Sequence, residues 1–324
     1  MSGNSPFLVR AWAFLLCLPS GAVLLTHTYG ILPLHVGGWF VALPCCLALA
    51  GLFWFGNDEI AEAIAIGVFA GLVGTIFYDI ARVPVLMAGR RVFGPIELYG
   101  VWLLDAPVSS RFTHLTGWLY HFSNGITFGI MYALFMRGRH WLWAIGWAFL
   151  LETIFVLSPL AYSVALFSDS WAVVVAYYGH VAYGIGLGLF VQRWDYTRLQ
   201  LKQLEPAHKW VLAAVPLMIC AAYIWNGPVE QDRRARPGVL RVEGGRLNPD
   251  WVRLIGGGRV TIENPGTAGV TVRMPQAGAT LEIAAGQSVD YAFVRPNRLF
   301  DIFQVFVMVP GRPRSSFVIV DRDN

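Results

Sequence analysis

A chain of 324 residues that is 56% hydrophobic and 14% charged, with a mean hydropathy of +0.54, is too apolar for an ordinary soluble protein, in which about 25% of residues are charged. Its formal net charge of +4 is too small to hold a polyanion. It does not suggest nucleic acid as a partner and is what basic residues flanking membrane helices produce. Polarity is unevenly spread, because uncharged runs dominate from Met1 to Pro228 while Val229 to Asn324 is ordinarily polar and arginine-rich.

A membrane span needs about 20 mostly apolar residues. Seven stretches meet that standard, at roughly 8–28, 36–55, 61–80, 114–136, 141–160, 171–192 and 210–226. The first has Arg10 as a positive flank, but no small-x-small cleavage site follows it, so it is expected to be retained as a helix. The connector 81–113 carries Arg82, Arg90, Arg91, Glu97, Asp105 and Arg111 around an apolar centre, Leu98 to Leu104, too short to span. A re-entrant or interfacial segment is expected there. All four cysteines (Cys17, Cys45, Cys46 and Cys220) lie in apolar segments and read as small apolar residues.

Basic connectors at Arg137 and Arg139, and at Arg193, Arg198, Lys202 and Lys209, place the N-terminus in the cytoplasm and the tail outside. The arginines of 81–113 and the acidic Asn57-Asp58-Glu59 connector point the other way. The setting expected is a multi-pass bacterial inner-membrane protein with a periplasmic tail.

One pattern recurs within the apolar part. His121-Phe122-Ser123-Asn124-Gly125-Ile126-Thr127-Phe128-Gly129 and His180-Val181-Ala182-Tyr183-Gly184-Ile185-Gly186-Leu187-Gly188 both read His-x3-Gly-Ile-x2-Gly, and arginines end both helices. Positions i, i+4 and i+8 share a helix face, so each histidine sits above a two-glycine notch. Gly67, Gly71 and Gly74 form a third small-residue face on a span ending at Asp79. Such faces let helices approach closely. Glu152 falls within the fifth span and His114 lies one heptad before His121. Ionisable groups inside spans are costly and face the bundle interior or a cavity.

Three uses of these residues stand open. The histidines are neutral and hydrogen-bonded, with the glycines as packing faces. Alternatively, His121 and His180, with His114, Asp79 or Glu152, bind a transition metal. In the third, His121 and His180 are the axial ligands of a b-type haem. Proton relay or transport completes the set. No Gly-x-Ser-x-Gly elbow, HExxH, Walker loop or CxxC occurs.

The tail, 238–324 after a linker at 227–237, alternates with period two. Candidate strands are 259–264, 269–274, 280–283, 288–294, 299–309 and 316–320, parted by turn signals such as Asn264-Pro265-Gly266. Short strands at this spacing predict a β-sandwich. The valine-rich strand ending in Glu263-Asn264, and Ile283-Ala284-Ala285-Gly286-Gln287-Ser288 before an aromatic strand, resemble the cupredoxin family or an immunoglobulin-like relative. The resemblance implies a sandwich, but a blue-copper site needs two histidines and a cysteine. No histidine follows His208 and no cysteine follows Cys220. The domain is therefore expected to be a docking module for an extracytoplasmic partner. The His180 segment, His-x-x-Tyr-Gly-x-x-x-Gly, loosely resembles helices of uncharacterised bacterial multi-pass membrane proteins, which implies no activity.

The architecture expected is a polytopic α-helical membrane bundle over 1–226, seated in the bilayer and carrying an all-β sandwich. The role expected is non-enzymatic: an accessory, assembly or scaffolding subunit working with other subunits of a membrane complex. A metal- or haem-binding protein is the rival and a transporter the third.

Overall fold

The structure, a computed structural model, describes residues 6–88, 94–163, 166, 170–203, 236–244, 246–249, 251–255, 258–293, 300–308 and 314–321. The expected span at 210–226 and most of the linker 227–237 lie outside the described residues. The chain divides into two compact units. One is drawn from Met1–Val92 and Leu119–Ile219, the other from Phe93–Trp118 and Cys220–Asn324.

The first unit is helical. It contains α1 (Pro6–Thr28), α2 (Leu34–Gly37), α3 (Leu43–Phe55), α4 (Asp58–Met87), then after a ten-residue helix α5 (Gly94–Leu103) the greater part of α6 (Arg111–Met136), and α7 (Leu142–Val156), α8 (Pro159–Ser163), α9 (Ser170–Gln192) and α10 (Trp194–Gln203). Four of these segments are long and apolar enough to cross a membrane: Phe7–Thr28, Leu34–Phe55, Asp58–Met87 and Trp171–Gln192. The second is continuous because a wide π-turn at Gly38–Ala42 joins α2 to α3. Proline has no N–H and crowds the carbonyl four residues back. The wide turn just before Pro44 accommodates both effects.

Helix α7 is equally apolar but has only 15 residues. It stops because Ser158 precedes Pro159, a position disfavoured for helix, and the Ser158 Oγ accepts from the Leu160 N–H to start α8. Helix α6 has the length for a span, at 26 residues, but carries Arg111, His114, His121 and Asn124. Helix α4 starts from Asn57, whose side chain caps the Ile60 N–H at 2.9 Å, and it runs seven residues beyond the expected end at Ile80.

The second unit is a β-sandwich with α5 and the start of α6. Its strands are β1 (Val239–Glu243), β2 (Arg246–Asn248), β3 (Trp251–Ile255), β4 (Arg259–Glu263), β5 (Val270–Met274), β6 (Ala279–Ile283), β7 (Ser288–Ala292), β8 (Phe300–Met308) and β9 (Arg314–Asp321). Strands β4 to β9 fall where the alternation predicts them, and β1 to β3 precede them. One sheet has the order β2-β1-β4-β7 and the other β3-β9-β8-β5-β6. Inward residues of both sheets, among them Leu240, Ile262, Val272, Val305 and Val318, build one shared core.

The β3 edge is covered rather than open. Val108 bridges Val252, the Arg253 N–H donates to the Pro107 carbonyl at 2.9 Å, and the Ser109 N–H to the Trp251 carbonyl at 3.0 Å. Covering an edge in this way blocks further strand pairing. Thus the stretch read as re-entrant or interfacial comprises the end of α4, helix α5 and an edge-capping segment. Residues 94–113 of it belong with the sandwich unit.

Candidate functional site

Within the helical unit, α4 presents Tyr78 and Arg82 four residues apart, hence on one face. Arg82 is buried, at 8% exposure. Its Nη1 donates to the Tyr78 hydroxyl at 2.9 Å, and its guanidinium carbon lies 4.8 Å from the Tyr78 ring centre. Gly179 on α9 makes room for both. A Cβ there would meet Tyr78 Cε2 at 2.8 Å and Arg82 Cδ at 3.2 Å.

The two histidines flank Tyr78. Ring centres are 5.6 Å apart for His121 and 5.1 Å for His180. Each also meets a carboxylate: His121 Nε2 lies 3.1 Å from Asp79 Oδ1, and His180 Nδ1 lies 3.1 Å from Glu152 Oε2. His180 Nδ1 is also 3.0 Å from the Ala176 carbonyl. A carbonyl only accepts, so Nδ1 carries the hydrogen and Nε2 holds the lone pair of the neutral ring. All four side chains are largely covered, with exposures of 16% for His121 and Asp79, 18% for His180 and 8% for Glu152.

The glycine notches bring these groups together. Gly125 and Gly129 on α6 close on α4, where a Cβ on Gly71 would stand 2.4 Å from the Gly125 carbonyl oxygen and one on Gly67 would strike the Ile130 backbone. Gly184 and Gly188 on α9 close on α7 around Ala144. In both pairs of helices the histidine four residues before the first glycine meets a carboxylate on the helix its glycines touch. Ala144 precedes Glu152 by the same eight residues that separate Gly71 from Asp79. Gly74 receives the Tyr183 ring, whose hydroxyl donates to the Gly125 carbonyl at 2.7 Å and so ties α9 to α6. Beside this seam, Ser20 Oγ on α1 donates to Asn124 Oδ1 at 2.5 Å.

The site's level follows from the other end of the helices. There Glu62 accepts from Arg137 at 2.7 Å, Arg198 at 2.6 Å and Trp194 Nε1 at 3.3 Å. At 1.5 Å per residue, Tyr78 and His121 stand roughly 24 Å along their helices from this clasp, and His180 roughly 20 Å from Arg193. Those distances are shorter than the thickness of a hydrocarbon core, about 30 Å.

The residues singled out from sequence therefore come together as pairs rather than as one metal centre. Among the described residues, no group of three or more His, Cys, Asp and Glu could hold a metal ion. His114, in the sandwich unit, faces Glu97 with Nδ1 3.8 Å from Oε1. As for a haem iron, His121 Nε2 is already turned to Asp79. Sequence reasoning missed Tyr78 and Arg82. The signal was present, since no breaker stands between Asp79 and Pro84 and the helical period runs through both.

Comparison with known protein families finds no matching family model, and comparison with curated proteins finds no relative.

Proposed function

We propose that this chain is a non-enzymatic, multi-pass protein of a bacterial inner membrane whose helical part exchanges protons through the Asp79–His121 and Glu152–His180 pairs. The observation that carries this reading is the two matched histidine–carboxylate pairs on either side of Tyr78 and Arg82, which the reading sets at membrane depth. Ionisable groups in that setting mark proton or ion pathways. Counted over Asp79, Glu152, Arg82, His121 and His180, with both carboxylates ionised and both rings neutral, this set is short of one positive charge. A proton taken up by either imidazole supplies that charge, and the adjacent carboxylate stabilises the imidazolium by a charge-assisted hydrogen bond. Releasing the proton restores the neutral ring. His180 Nε2 is the basic atom that accepts at one pair. Tyr78, in contact with both imidazoles, lies between the two stations.

In this reading α6, α7 and 210–226 complete seven spans. The clasp with Arg137 and Arg198 lies in the cytoplasm and the sandwich outside. An accessory or assembly role in a larger complex is the second reading. A β-strand tail, 238–324, without histidine or cysteine favours it. Its other support has weakened, because the glycine faces are occupied inside the helical unit.

The test is proton flux into liposomes carrying the purified chain, followed with a trapped pH-sensitive dye under an imposed membrane potential. The wild type should move protons faster than empty liposomes, and Asp79→Asn and Glu152→Gln should each cost at least tenfold while both variants still elute as folded, monodisperse protein. Flux equal to empty liposomes, with a stoichiometric partner copurifying, would transfer the case to the accessory reading.

A further inference from the structure

A hollow of about 440 Å³ lies between α3, α4 and α6, away from the histidine–carboxylate pairs. Ala50 and Ala65 make it concave, and the rings of Phe53 and Phe69 flank it. Phe69 is itself held in place, stacked against Phe190 and Trp194 with ring centres 6.5 and 6.2 Å away. Below these lie Leu49 and Ile64, both buried. The groove is therefore pre-formed, and its volume is that of a small-molecule site.

Its chemistry selects the occupant. Two hydroxyls reach the lining, and both are spent on their own helix. Ser123 Oγ donates to the Tyr120 carbonyl at 2.8 Å, and Thr127 Oγ1 lies 3.0 Å from the carbonyls of Ser123 and Asn124. A trapped water needs two to four polar partners, and this lining does not supply them. Helices α3 and α4 belong to segments long and apolar enough to cross a membrane. Along α4, Ile64 to Phe69 stand roughly 3–10 Å in from Glu62 at 1.5 Å per residue. That falls within the hydrocarbon layer of a single leaflet, about half of a 30 Å core. At the level where that leaflet's headgroups would lie, Arg10 pairs with Glu59 and Arg137 with Glu62.

We infer that this groove binds one acyl chain of a phospholipid from the leaflet on the Arg10–Glu59 side, as a resident lipid site of the protein. The chain lies against Phe53, Phe69 and Ile126, and the hollow left by the two alanines receives it.

The experiment places the full-length protein in nanodiscs of phosphatidylglycerol and phosphatidylcholine doped with a phospholipid bearing a diazirine on one acyl chain. Crosslinked peptides are then mapped by mass spectrometry. In the wild type, crosslinks should gather on Phe53, Phe69 and Ile126 several-fold over outward-facing rings such as Trp39 and Phe40. Ala50→Phe fills the hollow from an exposed position and should fold normally. It should bring groove crosslinking down to the level of the outer surface, and leave crosslinks at Trp39 and Phe40 unchanged. Ala65→Leu is the second variant and should act in the same direction. Even labelling of all apolar surfaces would overturn the inference. So would groove labelling that survives Ala50→Phe, or crosslinks between two copies of the chain across this face.

Discussion

The two units differ in the polar groups they gather beside their apolar cores. In the sandwich, Asn264 is 1% exposed and entirely engaged with backbone. Its Nδ2 donates to the carbonyls of Ala268, Ile283 and Ala284 at 2.8, 3.1 and 3.1 Å, and its Oδ1 accepts from the Gly266 N–H at 3.2 Å. Ser316 likewise donates to the Leu247 carbonyl at 3.0 Å. These are neutral groups whose hydrogen count never changes, and they pin turns and strands. The helical unit covers neutral groups too, such as the Ser20–Asn124 pair, but beside them it holds a titratable set in which Arg82 and Glu152 are buried and Asp79, His121 and His180 are half-buried. The carboxylates and imidazoles among them can gain or lose a proton without the backbone moving, while Arg82 stays charged. A satisfied neutral group explains itself as structure. A set of titratable pairs in an apolar setting asks for a further reason, because its desolvation is expensive.

The largest effect should come from the seam that brings the pairs together. A Cβ on Gly129 would stand 2.5 Å from the Gly67 carbonyl oxygen and 2.6 Å from the Gly71 Cα, so neither partner can yield without moving backbone. Gly129→Leu should cost about 3 kcal/mol or more and abolish a monodisperse elution peak in detergent. Gly146, whose Cβ would meet nothing, should tolerate alanine. The β-strand signal of the sandwich should outlast that loss in a circular dichroism melt. A single transition for both would break the contrast between the units.

Arg82 comes next. Replacing it with methionine keeps the length but leaves two carboxylates without their guanidinium, and losing one partner of a buried charge set costs roughly 3–5 kcal/mol. Adding Glu152→Gln to Arg82→Met should recover part of that cost, because one negative charge goes with it. Thermal unfolding of the single and double variants measures the coupling. Additive losses would mean that the two residues do not share an electrostatic site.

Much of this was legible from residue order alone. Apolar runs mark the long helices, alternation from Arg259 onward marks the later strands, and the His-x3-Gly-Ile-x2-Gly motifs mark both histidines. Asp79 and Glu152 stand out as carboxylates in apolar runs. What could not be read was who meets whom. His121 and Asp79 are 42 residues apart, and nothing local says that α6 closes on α4 while α9 closes on α7. Tyr78 and Arg82 were obscured because hydropathy falls at the arginine while the helix, which answers to backbone hydrogen bonding, runs on to Met87. Strands β1 to β3 escaped for a different reason. Strand β2 has only three residues, too few to show a period, and β1 and β3 lie parallel to β4 and β9, partners no hairpin turn announces. The stretch 81–113 reads as re-entrant or interfacial for its apolar centre, Leu98 to Leu104, and there Leu98, Val101 and Trp102 are buried.

The smallest effect should fall at the histidine and carboxylate that the sandwich unit itself contains. Trp251 Nε1 donates to Glu97 Oε2 at 3.0 Å, and Glu97 also faces His114. Trp251→Phe removes that donor but keeps a ring to stack on Phe317, whose centre is 4.3 Å away at an interplanar angle of 14°. The Glu97 side chain is 18% exposed, so water can replace the indole. The loss should therefore be about 1 kcal/mol, that of one hydrogen bond. Trp251→Ala should cost roughly 3–5 kcal/mol because it empties a packed site. Proton flux in liposomes should be the same for Trp251→Phe as for the wild type. A change in flux would mean that Glu97 and His114 belong to the proton-exchanging system, and the division between a structural sandwich and a titrating helical unit would fail at this residue.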